Sequence, residues 1–268
     1  MMAAVMGNRV VTLHNCAKEP EIVNVATWLN QCGANISGVG TETITIVGTK
    51  GKLLSPKTIY TAIPDRIEAG SYLILGALCS SELTINECRP DHMKSVISLL
   101  KTSGVHITIS KYANSNGNRS IFITDNGKPN SDFHSFNVQT SVYPGFPTDL
   151  QAQIVTYLTQ VTGASTVKEN IFEGRLKYVV DLTKLGANIL IKNPNEISIQ
   201  GPTKLLAAID DHELNAHDIR AGFAMIMAAI ISTGTYVINN TYFVDRGYEK
   251  IEERLTLLGA KIDRVQSV

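Results

Sequence analysis

Tryptophan occurs once in this 268-residue chain, aromatic residues make up 6% of it and charged residues 18%. No apolar run reaches the roughly 18 residues needed to span a bilayer. Ala221 to Ile231 comes nearest and is too short. The opening MMAAVMGNRVV has neither a basic segment nor a clear cleavage site, so it reads as the tail of a core helix rather than a signal peptide. Net charge is also lacking, with 24 Lys+Arg against 24 Asp+Glu. That excludes a general nucleic-acid binder, which shows a basic excess or stripe, but leaves room for a small anion held by two or three arginines. The four cysteines, Cys16, Cys32, Cys79 and Cys88, form no C-x-x-C pair. They read as buried free thiols in a reducing, cytoplasmic setting.

Familiar signatures are missing too. There is no G-x-G-x-x-G, P-loop, H-E-x-x-H or G-x-S-x-G. The histidines at 14, 92, 106, 134, 212 and 217 show no metal-ligand spacing, and His212 and His217 in DDHELNAHD read as loop polar groups. Glu19 and Glu21 flank Pro20 at a helix start and read as capping.

What is present is repetition. An amphipathic helix, a glycine and a strand recur in EIVNVATWLNQCGANISGV, HMKSVISLLKTSGVHITIS, LKYVVDLTKLGANILIK and YEKIEERLTLLGAKIDRV. Helical spacing is carried by Ile22, Val25, Ala26 and Leu29, by Tyr178, Leu182 and Leu185, and by Ile251, Leu255 and Leu258. Gly33, Gly104, Gly186 and Gly259 fall where a helix end wants positive φ, and the alternation that follows each predicts a strand. A second, more apolar helix leading to a strand precedes these units in GSYLILGALCSSELTINECRP, DLQAQIVTYLTQVTGASTVKENIFE and IRAGFAMIMAAIISTGTYVINNTYFVDR; the opening segment matches only its end. The order is βαβαββ-like, an α/β or α+β architecture with the apolar helices buried and the amphipathic ones outside. Gly48 to Pro64 is the best domain boundary, Tyr112 to Ser120 reads as a mobile polar hairpin tip, and NGKPNSDFHS reads as a surface loop.

Three places could carry chemistry. In PGFPTDLQAQ, Thr148 and Asp149 enter an apolar helix; they are helix caps or, for Asp149, a general base on a Pro-flanked turn. In NNTYFVDRGYEKIEERL, Arg246 follows a strand; it forms a surface pair with Asp245 or Glu249, or grips a phosphate or carboxylate. In AHDIRAGFAM, Asp218 and Arg220 stand at the equivalent helix start, as do Asp65, Arg66 and Glu68 in PDRIEAG; these are repeated scaffold caps and salt bridges or the rim of a shared cleft.

The strings CAKEPEIVNVATWL, IPDRIEAG, FPTDLQAQ, IFEGR, HDIRAG and VDRGYEKIEERLTLLGA resemble the UDP-N-acetylglucosamine enolpyruvyl transferase family over nearly the whole chain. FPTD-x-QAQ and DRGYE-x-I-E favour it over enolpyruvylshikimate-phosphate synthase. The resemblance implies inside-out α/β barrel domains of repeated βαβαββ units. It also implies transfer of enolpyruvyl from phosphoenolpyruvate to the 3′-hydroxyl of UDP-N-acetylglucosamine, the committed step of peptidoglycan synthesis, with no metal or organic cofactor. Asp149 then matches the base for the 3′-hydroxyl, Arg220 and Arg246 match phosphoenolpyruvate-binding arginines, Ile171 matches a contact to the uridine nucleotide sugar, and Asp218 matches a partner residue. The family's Lys-Asn start, reactive loop Cys and uridine-diphosphate arginines have no counterpart here. The resemblance accordingly implies residues 1–62 as the remnant of the catalytic-loop domain and 63–268 as the second domain without its first strand. The expected partners are the two small substrates, with no nucleic acid or membrane. Self-association through an uncovered apolar face around Val5, Val10 and Leu13 is expected. The competing reading is a truncated, non-catalytic remnant or binding module of the same fold.

Overall fold

The computed structural model describes residues 1–52, 54–56, 58–79, 82–124, 127–206 and 213–265; His212 lies outside them. The chain divides into two compact units, Met1–Pro64 with Ser141–Gly145, and Asp65–Thr140 with Phe146–Val268.

The first unit runs α1 (Met2–Met6), β1 (Val10–His14), α2 (Pro20–Gln31), β2 (Asn35–Ser37) and β3 (Thr43–Val47). Strand β3 is central and antiparallel to both neighbours, with Val10 opposite Val47 and Ile36 opposite Ile46. Its TITIV alternation sends Ile44 and Ile46 inward against Val5, Ala26, Leu29 and Ile36. The Asn30 side chain donates to the carbonyl of Ile36 and accepts from its N–H, each at 2.8 Å, which fixes the exit of α2 onto β2. Two expectations fail here. Val5 is 1% exposed and Leu13 packs on the same small core, so only Val10 of the suspected apolar face is open; the chain supplies its own cover through β3. Glu19 precedes α2 without a side-chain capping bond, while Glu21 stands in its first turn. Val25 is also exposed, on the outer side of α2.

The second unit opens with α3 (Arg66–Leu78), β4 (Glu82–Cys88), α4 (Lys94–Ser103), β5 (Ile107–Ile109) and β6 (Arg119–Thr124). It continues with β7 (Val138–Gln139), α5 (Gln151–Leu158), β8 (Gly163–Lys168), α6 (Val179–Lys184), β9 (Ile189–Asn193) and β10 (Glu196–Gly201). It closes with β11 (Glu213–Asn215), α7 (Ile219–Ile231), β12 (Val237–Asn239), α8 (Tyr242–Asp245) and α9 (Ile251–Leu257). The middle repeat is complete: β7 runs parallel to β8 through α5, and β10 lies antiparallel between β8 and β9. The preceding repeat forms the sheet β4-β6-β5, and β11 pairs in parallel with β12. The βαβαββ order and the mixed α/β class are therefore those expected.

The two kinds of helix differ as their composition requires. All eight residues of α5 are buried, as are most of α3 and the first ten residues of α7 apart from its opening turn. These three helices pack on one another, while α4 and α6 cover the outside. Gly33, Gly104, Gly186 and Gly259 all adopt positive φ at the helix ends. The hairpin tip between β5 and β6 is a turn in which the Asn114 side chain accepts from the N–H groups of Asn116 and Asn118, both at 2.9 Å.

Other expectations need correction. The segment after Gly259 forms no strand among the described residues, since alternation makes a strand only where a ladder partner is offered; Arg264 instead ties it to Asp245 and Glu252. Leu258 is exposed beyond the end of α9. All four cysteines are free, but only Cys32 and Cys88 are buried, Cys79 being exposed after α3 and Cys16 half-buried. Among the described residues no helix is long and apolar enough to cross a membrane.

Gly222 shows how closely the inner helices are set. A Cβ there would lie 2.5 Å from Val244 Cγ2 and 2.9 Å from Ala216 Cβ. Val244 is stiff at χ1 and Ala216 is held by backbone, so neither yields easily. Gly222→Ala is expected to lose about 1–3 kcal/mol of stability by overpacking. An unchanged urea midpoint would show that α7 has room to shift.

Candidate functional site

Pro147 ends in extended backbone and hands the chain to a 3₁₀ turn, Thr148–Leu150, from which α5 continues. Neither Thr148 nor Asp149 caps a helix, contrary to the capping expectation. Both side chains meet Arg175. Its Nη2 donates to Asp149 Oδ1 at 2.6 Å and its Nη1 to Thr148 Oγ1 at 2.7 Å. A guanidinium fork makes charge-assisted bonds that a neutral helix N–H cannot match, which is why the carboxylate turns away from the helix. Arg175 is itself mostly buried and lies 5.1 Å from the Phe172 ring centroid.

Behind this pair stands Glu169, 1% exposed at the end of β8. One carboxylate oxygen accepts from Thr140 Oγ1 (2.8 Å), Ile171 N–H (2.8 Å) and Phe172 N–H (3.1 Å); the other accepts from Thr148 Oγ1 (2.9 Å). A buried carboxylate needs this many donors to offset its lost hydration. Glu169 thus fixes both the turn that carries Asp149 and the backbone that presents Ile171, whose side chain is 38% exposed. Glu169 and Arg175 were not singled out in the sequence. Both lie in the KENIFEGR stretch, and their shared target, Thr148, is more than twenty residues away.

A second cluster surrounds Tyr248. Its hydroxyl bonds Ser71 Oγ of α3 at 2.7 Å and Gln153 Nε2 of α5 at 3.2 Å, and its ring stacks on Phe223 of α7 at 4.4 Å. Burial raises the phenol pKa above its ordinary value, with Arg220 opposing, so the group is a neutral anchor. The Arg220 guanidinium lies over the same ring, 5.4 Å from its centroid, and its buried Nη1 has no hydrogen-bond partner among the described residues. Gly247 leaves the space for it, as a Cβ there would come 3.3 Å from that nitrogen.

Asp218 is a helix cap, accepting from the N–H of Arg220 (2.7 Å) and Ala221 (2.9 Å), and Asp65 caps α3 in the same way. For these two aspartates the scaffold alternative holds. Arg246 follows α8 rather than a strand, is exposed, and pairs with neither Asp245 nor Glu249. Asp245 is taken by Arg264 at 2.7 and 2.9 Å, and Glu249 by Arg254 at 3.4 Å. The surface-pair alternative for Arg246 therefore fails, leaving a charged fork at the end of α8. Tyr178 lies between the clusters: its hydroxyl donates to Gln151 Oε1 at 2.9 Å, and burial, then the charges of Glu169 and Asp218, hold its pKa well above the usual value. His217, read as a loop polar group, is bonded to the buried Asp181 carboxylate at 2.7 Å. Among the described residues no cluster of three or more His, Cys, Asp or Glu is placed to hold a metal ion.

Asp149, Asp218 and Arg220 thus stand at the starts of inner helices of the second unit, with Ile171 in the loop after β8 and Arg246 after α8. Residues 1–255 match the family model described as EPSP synthase (3-phosphoshikimate 1-carboxyvinyltransferase). The chain belongs to the EPSP synthase family. Members are carboxyvinyl transferases. A UDP-N-acetylglucosamine 1-carboxyvinyltransferase of Caldanaerobacter subterraneus is 42% identical over 264 residues, 98% of this chain and 59% of that protein. One from Koribacter versatilis is 40% identical over 99% of this chain and 57% of its own length. Two solved structures share the fold: the enolpyruvyl transferase NikO from Streptomyces tendae (TM-score 0.83, 23% identity, 96% of this chain, 57% of that one) and EPSP synthase from Acinetobacter baumannii (TM-score 0.67, 18% identity, 99% and 60%). The EPSP synthase family chain described here spans about three fifths of the length of these curated relatives.

Glu169→Gln tests the carboxylate hub of this family member. An amide turns one acceptor into a donor facing the donors already there, at a cost of roughly 1–3 kcal/mol per unsatisfied group. A lowered thermal midpoint with native circular dichroism is expected. An unchanged midpoint would mean that the four bonds are not all made.

Proposed function

We propose that the functional protein transfers the enolpyruvyl group of phosphoenolpyruvate to the 3′-hydroxyl of UDP-N-acetylglucosamine and releases phosphate, the committed step of peptidoglycan synthesis, in the cytoplasm. The observation that carries this reading is the Asp149 carboxylate. One oxygen is gripped by Arg175 while the other makes no hydrogen bond among the described residues. A sugar hydroxyl is a poor nucleophile until a base removes its proton, and a carboxylate oriented on a rigid turn with one free oxygen suits that task. The activity named for the 42%-identical relative supports the same substrates.

In this scheme the 3′-oxygen gives its proton to Asp149 and bonds to the central carbon of phosphoenolpyruvate as the methylene carbon takes up a proton; phosphate then leaves with the electrons of its C–O bond while the resulting methyl group gives a proton back, which restores the enol ether. Arg220, with a buried Nη1 that has no partner among the described residues, and Arg246, an exposed fork without an ion pair among them, supply positive charge for the phosphate and carboxylate and for the anionic tetrahedral intermediate. Ile171, presented by Glu169, contacts the uridine nucleotide sugar. Residues 1–62 correspond to part of the catalytic-loop domain and 63–268 to the second domain. The only ligands this scheme needs are the two small substrates.

A second reading is a non-catalytic binding module of the same fold. Joining the chain to the remaining two-fifths of the Caldanaerobacter relative and measuring phosphate release separates the two. The joined protein should turn over, and Asp149→Ala should lower its rate about a hundredfold or more, the usual worth of a positioned base. Equal rates would remove Asp149 from the base role. A joined protein that binds both substrates without turnover would favour the binding module.

A further inference from the structure

Outside the carboxyvinyl-transfer site, the second unit carries a groove of about 620 Å³ beside α4, within the range of small-molecule sites. Its charge is one-sided. Arg89, Lys94, Lys101 and Arg119 line it, and Asp91 is the one acid among the lining residues. Asp91 lies 3.6 Å from His92, while Lys94, Lys101 and Arg119 are exposed and make no ion pair among the described residues, so four cations face one acid. In a chain whose charges balance overall, such an unneutralised set raises the local potential for anions.

Arg89 is the built part of this groove. Its Nε donates to Asn118 Oδ1 (3.0 Å) and its Nη2 to the Asn116 carbonyl (2.8 Å), so the fork is held before any ligand arrives. The tip that holds it turns at Gly117, with φ of 78°, where a Cβ would lie 3.2 Å from Arg89 Nη2. Nearby Glu87 is occupied by the side chains of Asn114 and Asn118. Lys94 and Lys101 stand seven residues apart, two turns along one face of α4, with Ile97 between them. Ile97 and Ile109 give the groove an apolar wall between its cations.

We infer that this groove binds a nucleoside diphosphate, the phosphates on the cations and the base against the isoleucine wall. The inference is independent of the carboxyvinyl-transfer reading. Its test is calorimetric titration of the 268-residue chain with ADP, with variants inside and outside the groove locating the binding. ADP should bind, more weakly as salt rises, and the exposed double variant Lys94→Glu/Lys101→Glu should weaken it roughly tenfold or more for loss of two charge-assisted contacts. Lys261→Glu, an equal kind of charge change outside the groove, should leave it unchanged. No binding at low salt, equal affinity in the double variant, or equal loss in Lys261→Glu would overturn the inference. Pyrophosphate binding as tightly as ADP would overturn it as well, because the wall would then contribute nothing.

Discussion

The second unit depends on one buried hydroxyl. Tyr248 reaches from the loop before α9 and bonds Ser71 of α3 and Gln153 of α5, while its ring stacks on Phe223 of α7. Three helices that are apolar on nearly every side need a common register, and dispersion contacts alone specify it loosely. A buried phenol that must find partners specifies it tightly, since each unmade bond costs about 1–3 kcal/mol. Because Ser71, Gln153 and Phe223 lie in the first halves of their helices, the junction also brings those helix starts together. Arg254 of α9, paired with Glu68 of α3, holds the same junction from outside.

The placement of the candidate site residues follows from that arrangement. Arg220 rests on the Tyr248 ring, Asp218 is spent on capping α7, and Tyr178 bridges to Gln151 beside the turn bearing Asp149. The polar residues that repetition placed at equivalent positions therefore divided their labour. In α3 and α7 the aspartate serves the helix; at α5 it is released from the helix by a 3₁₀ turn and bound by an arginine. The same loss of a cap that weakens the start of α5 supplies an exposed carboxylate with a free oxygen.

Much of the fold was legible because it is local. Helical spacing, a glycine at positive φ and alternation after it are all properties of a dozen neighbouring residues, and they located the helix ends at Gly33, Gly104 and Gly186. The same logic failed after Gly259, where alternation found no ladder, and at Val5, whose cover comes from a strand forty residues on. Asp149, Ile171, Arg220 and Arg246 were named as site residues through resemblance to a family. Glu169 and Arg175 were not, because a buried carboxylate and its donors are chosen by tertiary placement: Thr140, Thr148 and Arg175 meet only once β8 is laid down. The groove on α4 escaped notice for a like reason, its cations coming from a loop, a helix and a strand.

The central claim is that the starts of the inner helices, with the Glu169 loop and Arg246, form the ligand face of this EPSP synthase family chain. Hydrogen–deuterium exchange of the 268-residue protein, with and without saturating phosphoenolpyruvate and UDP-N-acetylglucosamine, addresses it most directly. The account predicts added protection in residues 147–151, 169–175, 218–222 and 245–248. Exchange unchanged in those segments, or protection confined to others, would contradict it.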